Sequence, residues 1–383
     1  DGKVSQQFSG RKFKRAAPGN AGKAINPYSA KSMEFYLKHF DEPFGGDDVA
    51  WPRAMYHDSF EFKGNWCKAL PEEFKRRRGY DLTEHYPALF GKGDADKVAR
   101  IKADYRETLS DLHLDYLKTL VKWSESKGCG TRNQAHGSPS NLLDLYAASS
   151  IPETEIFGAS QFDIPGIRRE RSNISGSNLP RPMIMQMASS AAHVTGKPLV
   201  ASETCTWIRD HFRTTLAQAK PEIDQLFLNG INHIFIHGTC YSPKEAPWPG
   251  WLFYASFEYN PRNAIWHDAP LLNAYITRCQ SILQSGNHDN DVAVYWPVHD
   301  IWHNSRGMQQ MLTVHHPDWL TKSAAGKLAA QLKAEGVGYD FISDRQLIAG
   351  LGTPYKAVMV PKTGHMPLAT LKKLLAIDAS GQP

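Results

Sequence analysis

The sequence predicts an α/β chain: a (β/α)8 TIM barrel whose N-terminal strands are missing from it, followed by part of a doubly wound α/β unit. Three observations carry this. Strand-like and helical patterns alternate through the middle of the 383 residues, the signature of βα units around a parallel sheet. The strand-like runs end in polar residues, as barrel strands do where chemistry collects. A second, shorter alternation then resumes near residue 289.

Taken in order, residues 28–40 read as a helix and 54–62 as a strand. The clearest helix covers 96–127, where Val98, Ile101, Tyr105, Leu109, Leu112, Tyr116, Leu120 and Trp123 recur at spacings of three and four. Strands at 131–136, 151–157, 198–204 and 231–236 follow, separated by helices at 141–148, 183–194 and 212–228. Five strands do not close a barrel. If 231–236 is the eighth, then 198–204 is the seventh, 54–62 the fourth, and 12–16 a candidate third. On that count the barrel portion occupies residues 1–288. The second unit, 289–383, reads as strands at 292–296, 337–342 and 355–360 with helices at 322–335 and 368–375. It is a doubly wound pattern cut short. No GxGxxG or GxxxxGK accompanies it, so no nucleotide site is assigned.

Composition narrows the function. A formal charge of +5, with basic residues in short clusters, speaks against nucleic acid as a partner. No apolar run reaches the roughly 18 residues needed to span a bilayer. The five cysteines, Cys67, Cys129, Cys205, Cys240 and Cys279, lack metal or redox spacing and read as buried free thiols, with a single disulfide as the alternative. Residues 1–9 lack the apolar stretch of a signal peptide and the start looks cut, so a piece of a longer secreted or periplasmic protein is expected.

Hydrolysing an acetal needs a proton for the leaving oxygen and a carboxylate that attacks or activates water. Glu61 and Glu203, each near the polar end of a strand, fit that need as the catalytic pair. Of Glu153 and Glu155 the reading admits only one to the barrel mouth and takes Glu155, as a sugar or metal contact. His57, Asp58, Arg132, Asn133, His136 and His237 fall at other strand ends, suited to sugar hydroxyls. Trp207 follows Glu203, and Tyr241, Trp248 and Trp251 lie on a proline-stiffened loop after the last barrel strand. Their ring faces suit stacking against sugar C–H groups.

The segments KRAAPG at 14–19, HDSFE at 57–61, FKRRRGYD at 74–81, RNQAHG at 132–137, IPETE at 151–155 and GINH at 230–233 together resemble glycoside hydrolase family 106, which contains α-L-rhamnosidases. The resemblance covers about residues 10–380. It implies an inverting, calcium-dependent hydrolase of terminal α-L-rhamnosyl linkages, with a barrel followed by further domains. By analogy with strand-four acids in related barrels, Glu61 is taken as the acid and Glu203 as the base. A calcium role is open to Glu155 or Asp58, with no ligand set assigned. Two other readings fit the pattern: a β-galactosidase-like barrel glycosidase, whose second domain resembles a glutamine amidotransferase, and a carbohydrate-binding remnant without catalysis.

Overall fold

The computed structural model describes residues 25–46, 50–158, 165–166, 181–208, 211–253, 255–351 and 355–381. The candidate third strand at 12–16 and the KRAAPG segment lie outside the described residues. The first unit runs α1 (Ala30–Asp41), β1 (Ala54–His57), α2 (Leu70–Arg78), α3 (Tyr86–Leu89), α4 (Ala95–Ser126), β2 (Gly130–Gln134), α5 (Leu142–Ala148), β3 (Ile151–Phe157), α6 (Pro182–Val194), β4 (Ala201–Thr206), α7 (Leu216–Phe227), β5 (His233–Ile236) and α8 (Ala269–Leu283). Local chemistry sets several of these boundaries. Asp94 caps α4 by accepting from the amides of Asp96 and Lys97, satisfying donors that have no partner within the helix. Thr215 and Gln218 form a capping box at the start of α7.

Among the described residues five strands form one parallel sheet in sequential order, β1-β2-β3-β4-β5, a curled half-barrel. Register fixes its two faces. Tyr56 pairs with Arg132, Gln134 with Glu153, Glu155 with Glu203, and Glu203 with Phe235. Paired residues of parallel neighbours point the same way, and residues two apart share a face. The inner face is therefore polar and charged, while the other face packs under helices.

β1 is shorter than the sequence suggests. It ends at His57, and the Phe60 amide leaves the ladder to donate to the His136 carbonyl at 3.1 Å. Gly137, at φ +87°, lets that coil pass close, since a Cβ there would lie 2.5 Å from the Phe60 carbonyl oxygen. A second irregularity sits on β4, where register slips between the pairs Glu155–Glu203 and Phe157–Thr206. The extra residue bulges out, with Cys205 at φ 71°.

The second unit comprises β6 (Val292–Tyr295), α9 (Val298–Trp302), α10 (Asp318–Thr321), α11 (Ala324–Ala334), β7 (Tyr339–Ile342), α12 (Asp344–Ala349), β8 (Ala357–Met359) and α13 (Leu368–Ala379). Its three parallel strands lie in the order β7-β6-β8. The two sheets share one apolar core that joins Leu143, Ile184 and Ala188 to Val294, Trp296 and Phe341. Side chains of α6 satisfy the outer edge of β7: Gln186 Nε2 donates to the Tyr339 carbonyl at 2.8 Å, and Ser190 Oγ accepts from the Phe341 amide at 2.9 Å. That covers an edge otherwise open to pairing.

α4 reaches the second unit with two buried cations. Arg106 donates to the carbonyls of Trp302, Asn304, Arg306, Gly307 and Met308, and Lys102 to those of Ser305 and Gly307. Burial pulls the Arg106 pKa down to about 10. All five cysteines are free thiols, as expected, with Cys67, Cys129 and Cys205 buried and the other two half-buried. Among the described residues no helix is long and apolar enough to cross a membrane.

Candidate active site

The inner face of the sheet gathers its carboxylates at the C-terminal ends of β3 and β4. Glu203 Oε2 accepts from Tyr56 Oη at 3.0 Å and Gln134 Nε2 at 2.7 Å, while Oε1 lies 3.1 Å from His237 Nδ1. Gln134 Nε2 also donates to Glu153 Oε1 at 3.0 Å. Tyr56 Oη also lies 3.1 Å from Asp58 Oδ1, an alternative acceptor for its single proton. One tyrosine and one amide therefore link three acids.

Glu155 lies beside Glu203 with its side chain buried, and His136 Nε2 is 3.2 Å from its Oε2. Donor atoms of Glu155, Glu203 and His237 all fall within 4.8 Å of one another. Burial pushes the Glu155 pKa well above the usual carboxylate range, and the Glu203 charge pushes it further. Glu153 is raised to about 7, chiefly by burial, against the lowering effect of Arg132. Arg132 Nε is 2.7 Å from Glu153 Oε2, and its guanidinium lies between the rings of Tyr56 and Phe235, 4.3 and 3.6 Å from their centroids. Burial holds the His136 pKa down at about 4, so this imidazole is neutral at pH 7.

The structure brings Glu203, Glu155, His136, His237, Arg132 and Asp58 together. The charge of Asp58 bears on Glu153, Glu155 and His136 alike. Glu61 is exposed on the coil four residues beyond β1, not on a strand end. His57 and Asn133 face the other way: His57 Nδ1 meets Asn133 Oδ1 at 2.8 Å, and its ring packs edge-on to Tyr116 of α4. They position β1 and β2 and do not line the mouth. The idea that only one of Glu153 and Glu155 reaches the mouth is corrected by the same alternation, since residues two apart share a face. Tyr56, Gln134 and Thr206 were missed; stepping by two along each strand from the assigned residues would have reached the first two.

Trp207 leaves β4 at φ 52°, its amide donating to the Ala255 carbonyl at 2.9 Å. Tyr241, Trp248 and Trp251 are exposed on the loop after β5. Arg262 braces that loop through the carbonyls of Ala246 and Pro243, at 2.8 and 3.0 Å. Phe253, at the loop's far end, packs on His237 with ring centroids 5.1 Å apart, which ties the aromatic loop to the carboxylate mouth.

Comparison with known proteins places this arrangement. A rhamnosidase from Novosphingobium sp. PP1Y superposes with a TM-score of 0.70 at 22% identity, over 94% of this chain and 34% of that one. A β-galactosidase from Bacillus circulans sp. alkalophilus superposes at 0.58 with 12% identity, over 92% of this chain and 54% of that one. In sequence, a putative beta-glucuronidase of Formosa agariphila is 23% identical over 387 residues, covering 96% of this chain and 30% of its own length. The chain thus spans about a third of the curated relative and of the rhamnosidase. Residues 4–382 match the profile of the α-L-rhamnosidase family, and the chain belongs to glycoside hydrolase family 106.

Proposed function

We propose that the mouth is the active centre of a glycoside hydrolase that releases terminal α-L-rhamnosyl groups with inversion, Glu203 acting as general base and Glu61 as general acid. The observation that carries the site is the convergence of Glu203, Glu155, Glu153 and Asp58 on the inner face of the sheet; inversion is taken from the family resemblance, and Glu155 lies within 4.8 Å of Glu203. An inverting pair needs roughly 6.5–9.5 Å between carboxyls to admit water, against about 5–5.5 Å for a retaining pair. Glu155 is therefore too near to be the acid in an inverting site and serves binding. The partner of Glu203 comes instead from the coil after β1, where Glu61 is exposed. Proton NMR of the first sugar released from an α-linked substrate should show the β anomer. Initial α anomer would mean retention and would put Glu155 in the catalytic pair in place of Glu61.

The charge at the mouth favours a neutral sugar. Glu203 and Asp58 face the Arg132 guanidinium, which is already engaged by Glu153 and two rings, while burial disfavours the charged forms of Glu153 and Glu155. A glucuronide would bring a further carboxylate to this surface. A panel of aryl glycosides should give turnover on α-L-rhamnoside and none on β-D-glucuronide or β-D-galactoside; binding of rhamnose without turnover would support a purely carbohydrate-binding role.

The same residues suit calcium, which takes six to eight oxygen ligands. Glu155 and Glu203 offer carboxylates, and Gln134 Oε1 is buried with no hydrogen-bond partner among the described residues. The imidazoles of His136 and His237 would remain outside the oxygen shell. Bound calcium would offset the mutual repulsion of the carboxylates and hold sugar hydroxyls. Chelation is expected to lower activity at least about tenfold, with recovery on added calcium; full activity after verified metal removal would discard this assignment.

A further inference from the structure

A second cluster lies at the opposite end of the strands, beneath the starts of β4 and β5. His193, in the last turn of α6, His288, in the segment joining the two sheets, and Asp340 of β7 place ligand atoms within 4.8 Å of one another. His193 and His288 line a cavity of about 690 Å³ together with Lys197, Asn232 and Asn290, and Asp340 is buried behind them. We propose that these three side chains form a site for a divalent transition metal of the zinc type, clamping the half-barrel to the second sheet.

Three features argue for a metal over a plain ion pair. Spacing comes first. Tetrahedral zinc with bonds of about 2.0–2.2 Å sets neighbouring ligand atoms roughly 3.4 Å apart. His193 Nδ1 lies 2.9 Å from Asp340 Oδ1 and His288 Nδ1 lies 3.9 Å from Oδ2, so the observed distances straddle that value. Second, the imidazole rings are stacked, centroids 4.0 Å apart and planes 27° from parallel, presenting both Nδ1 atoms to one carboxylate. Two imidazolium ions so close repel each other, whereas a cation between neutral imidazoles and a carboxylate is attracted by all three. Third, the carboxylate is already held from behind: Asn290 Nδ2 and Tyr355 Oη donate to Asp340 Oδ2 at 2.8 and 2.9 Å. Oδ1 shares a hydrogen bond with His193 Nδ1 that a bound ion would replace, and the partners on Oδ2 orient the carboxylate as metal sites require. Two nitrogens and one oxygen suit zinc, cobalt or nickel, not calcium. The cavity supplies the remaining position to water or a small anion.

Cobalt(II) titration of the chelator-treated chain, followed by visible d–d absorption, tests the site, with zinc competition read by calorimetry. The Glu203→Gln background removes the carboxylate mouth as a source of signal. One equivalent should bind there, and zinc should displace it and raise Tm. His288→Ala should weaken binding at least about 100-fold, beyond the 10–100-fold cost of losing an outer partner. If His288→Ala does not fold, Tyr355→Phe replaces it, with about tenfold weaker binding expected. Absence of a bound equivalent, or unchanged affinity in the folded variant used, overturns the proposal.

Discussion

Glu203→Gln should reduce kcat by about 10²–10⁴-fold, the usual contribution of a positioned acid or base, while leaving the fold intact. The exchange keeps the side chain's size and an oxygen for Tyr56 and Gln134, which donate to Oε2 at 3.0 and 2.7 Å. It removes the charge that would activate water. Because the base is needed whatever the leaving group, natural and activated substrates should slow alike. Glu61→Gln should differ, sparing aryl substrates that need little protonation. If Glu61→Gln slows both substrate types equally and Glu203→Gln does not, the two roles are exchanged. If neither variant changes the rate, the reaction centre lies elsewhere. Steady-state kinetics with one aryl and one alkyl rhamnoside separates these outcomes.

Arg106→Met should cost about 3–5 kcal/mol of stability, the range seen when one partner of a buried charged arrangement is removed. Five carbonyls lose their donor at once. An orphaned buried polar group costs about 1–3 kcal/mol, and water entering beside Lys102 would restore some of these bonds. The damage should concentrate where α4 meets the segment after α9. Urea unfolding, with hydrogen exchange at 302–308, measures both. Arg106→Lys should recover part of the loss, since an ammonium keeps the charge with fewer donors. Wild-type stability in Arg106→Met would show that the carbonyl cage contributes little.

Much of the fold was legible because apolar periodicity directly reports packing. The helix predicted at 96–127 is α4, Ala95–Ser126, and the strand at 151–157 is β3. What the sequence hid was geometry that no local pattern encodes. Residues 58–62 look like a continuation of β1, yet the Phe60 amide bonds to the His136 carbonyl across the chain, so Glu61 leaves the strand. Arg106 reads as an ordinary polar position on an amphipathic helix; its carbonyl acceptors lie about 200 residues away. The candidate site was half visible. Glu155, Glu203, His136 and His237 stand out by residue type, but Tyr56 and Gln134 acquire meaning only from register. His57 and Asn133 carry plausible chemistry on the wrong face, which parity distinguishes and composition does not.

The bulge at Cys205 also alters how this strand must be compared and engineered. In an unbroken strand Cys205 would follow Glu203 onto the inner face. Here Cys205 turns outward among Ile208, Ala219 and Phe257, and Thr206 takes the inward place, its Oγ1 2.9 Å from His237 Nδ1. One backbone residue thus acts as a phase shifter between Glu203 and everything downstream. Deleting it would leave Thr206 two residues after Glu203 and still inward in a regular strand, whereas straightening the strand with every residue kept would exchange inner and outer side chains from Cys205 onward. Alignments of this segment should therefore be anchored separately on Glu203 and on Thr206, and a loop graft that begins after the bulge inherits its phase from a residue outside the graft.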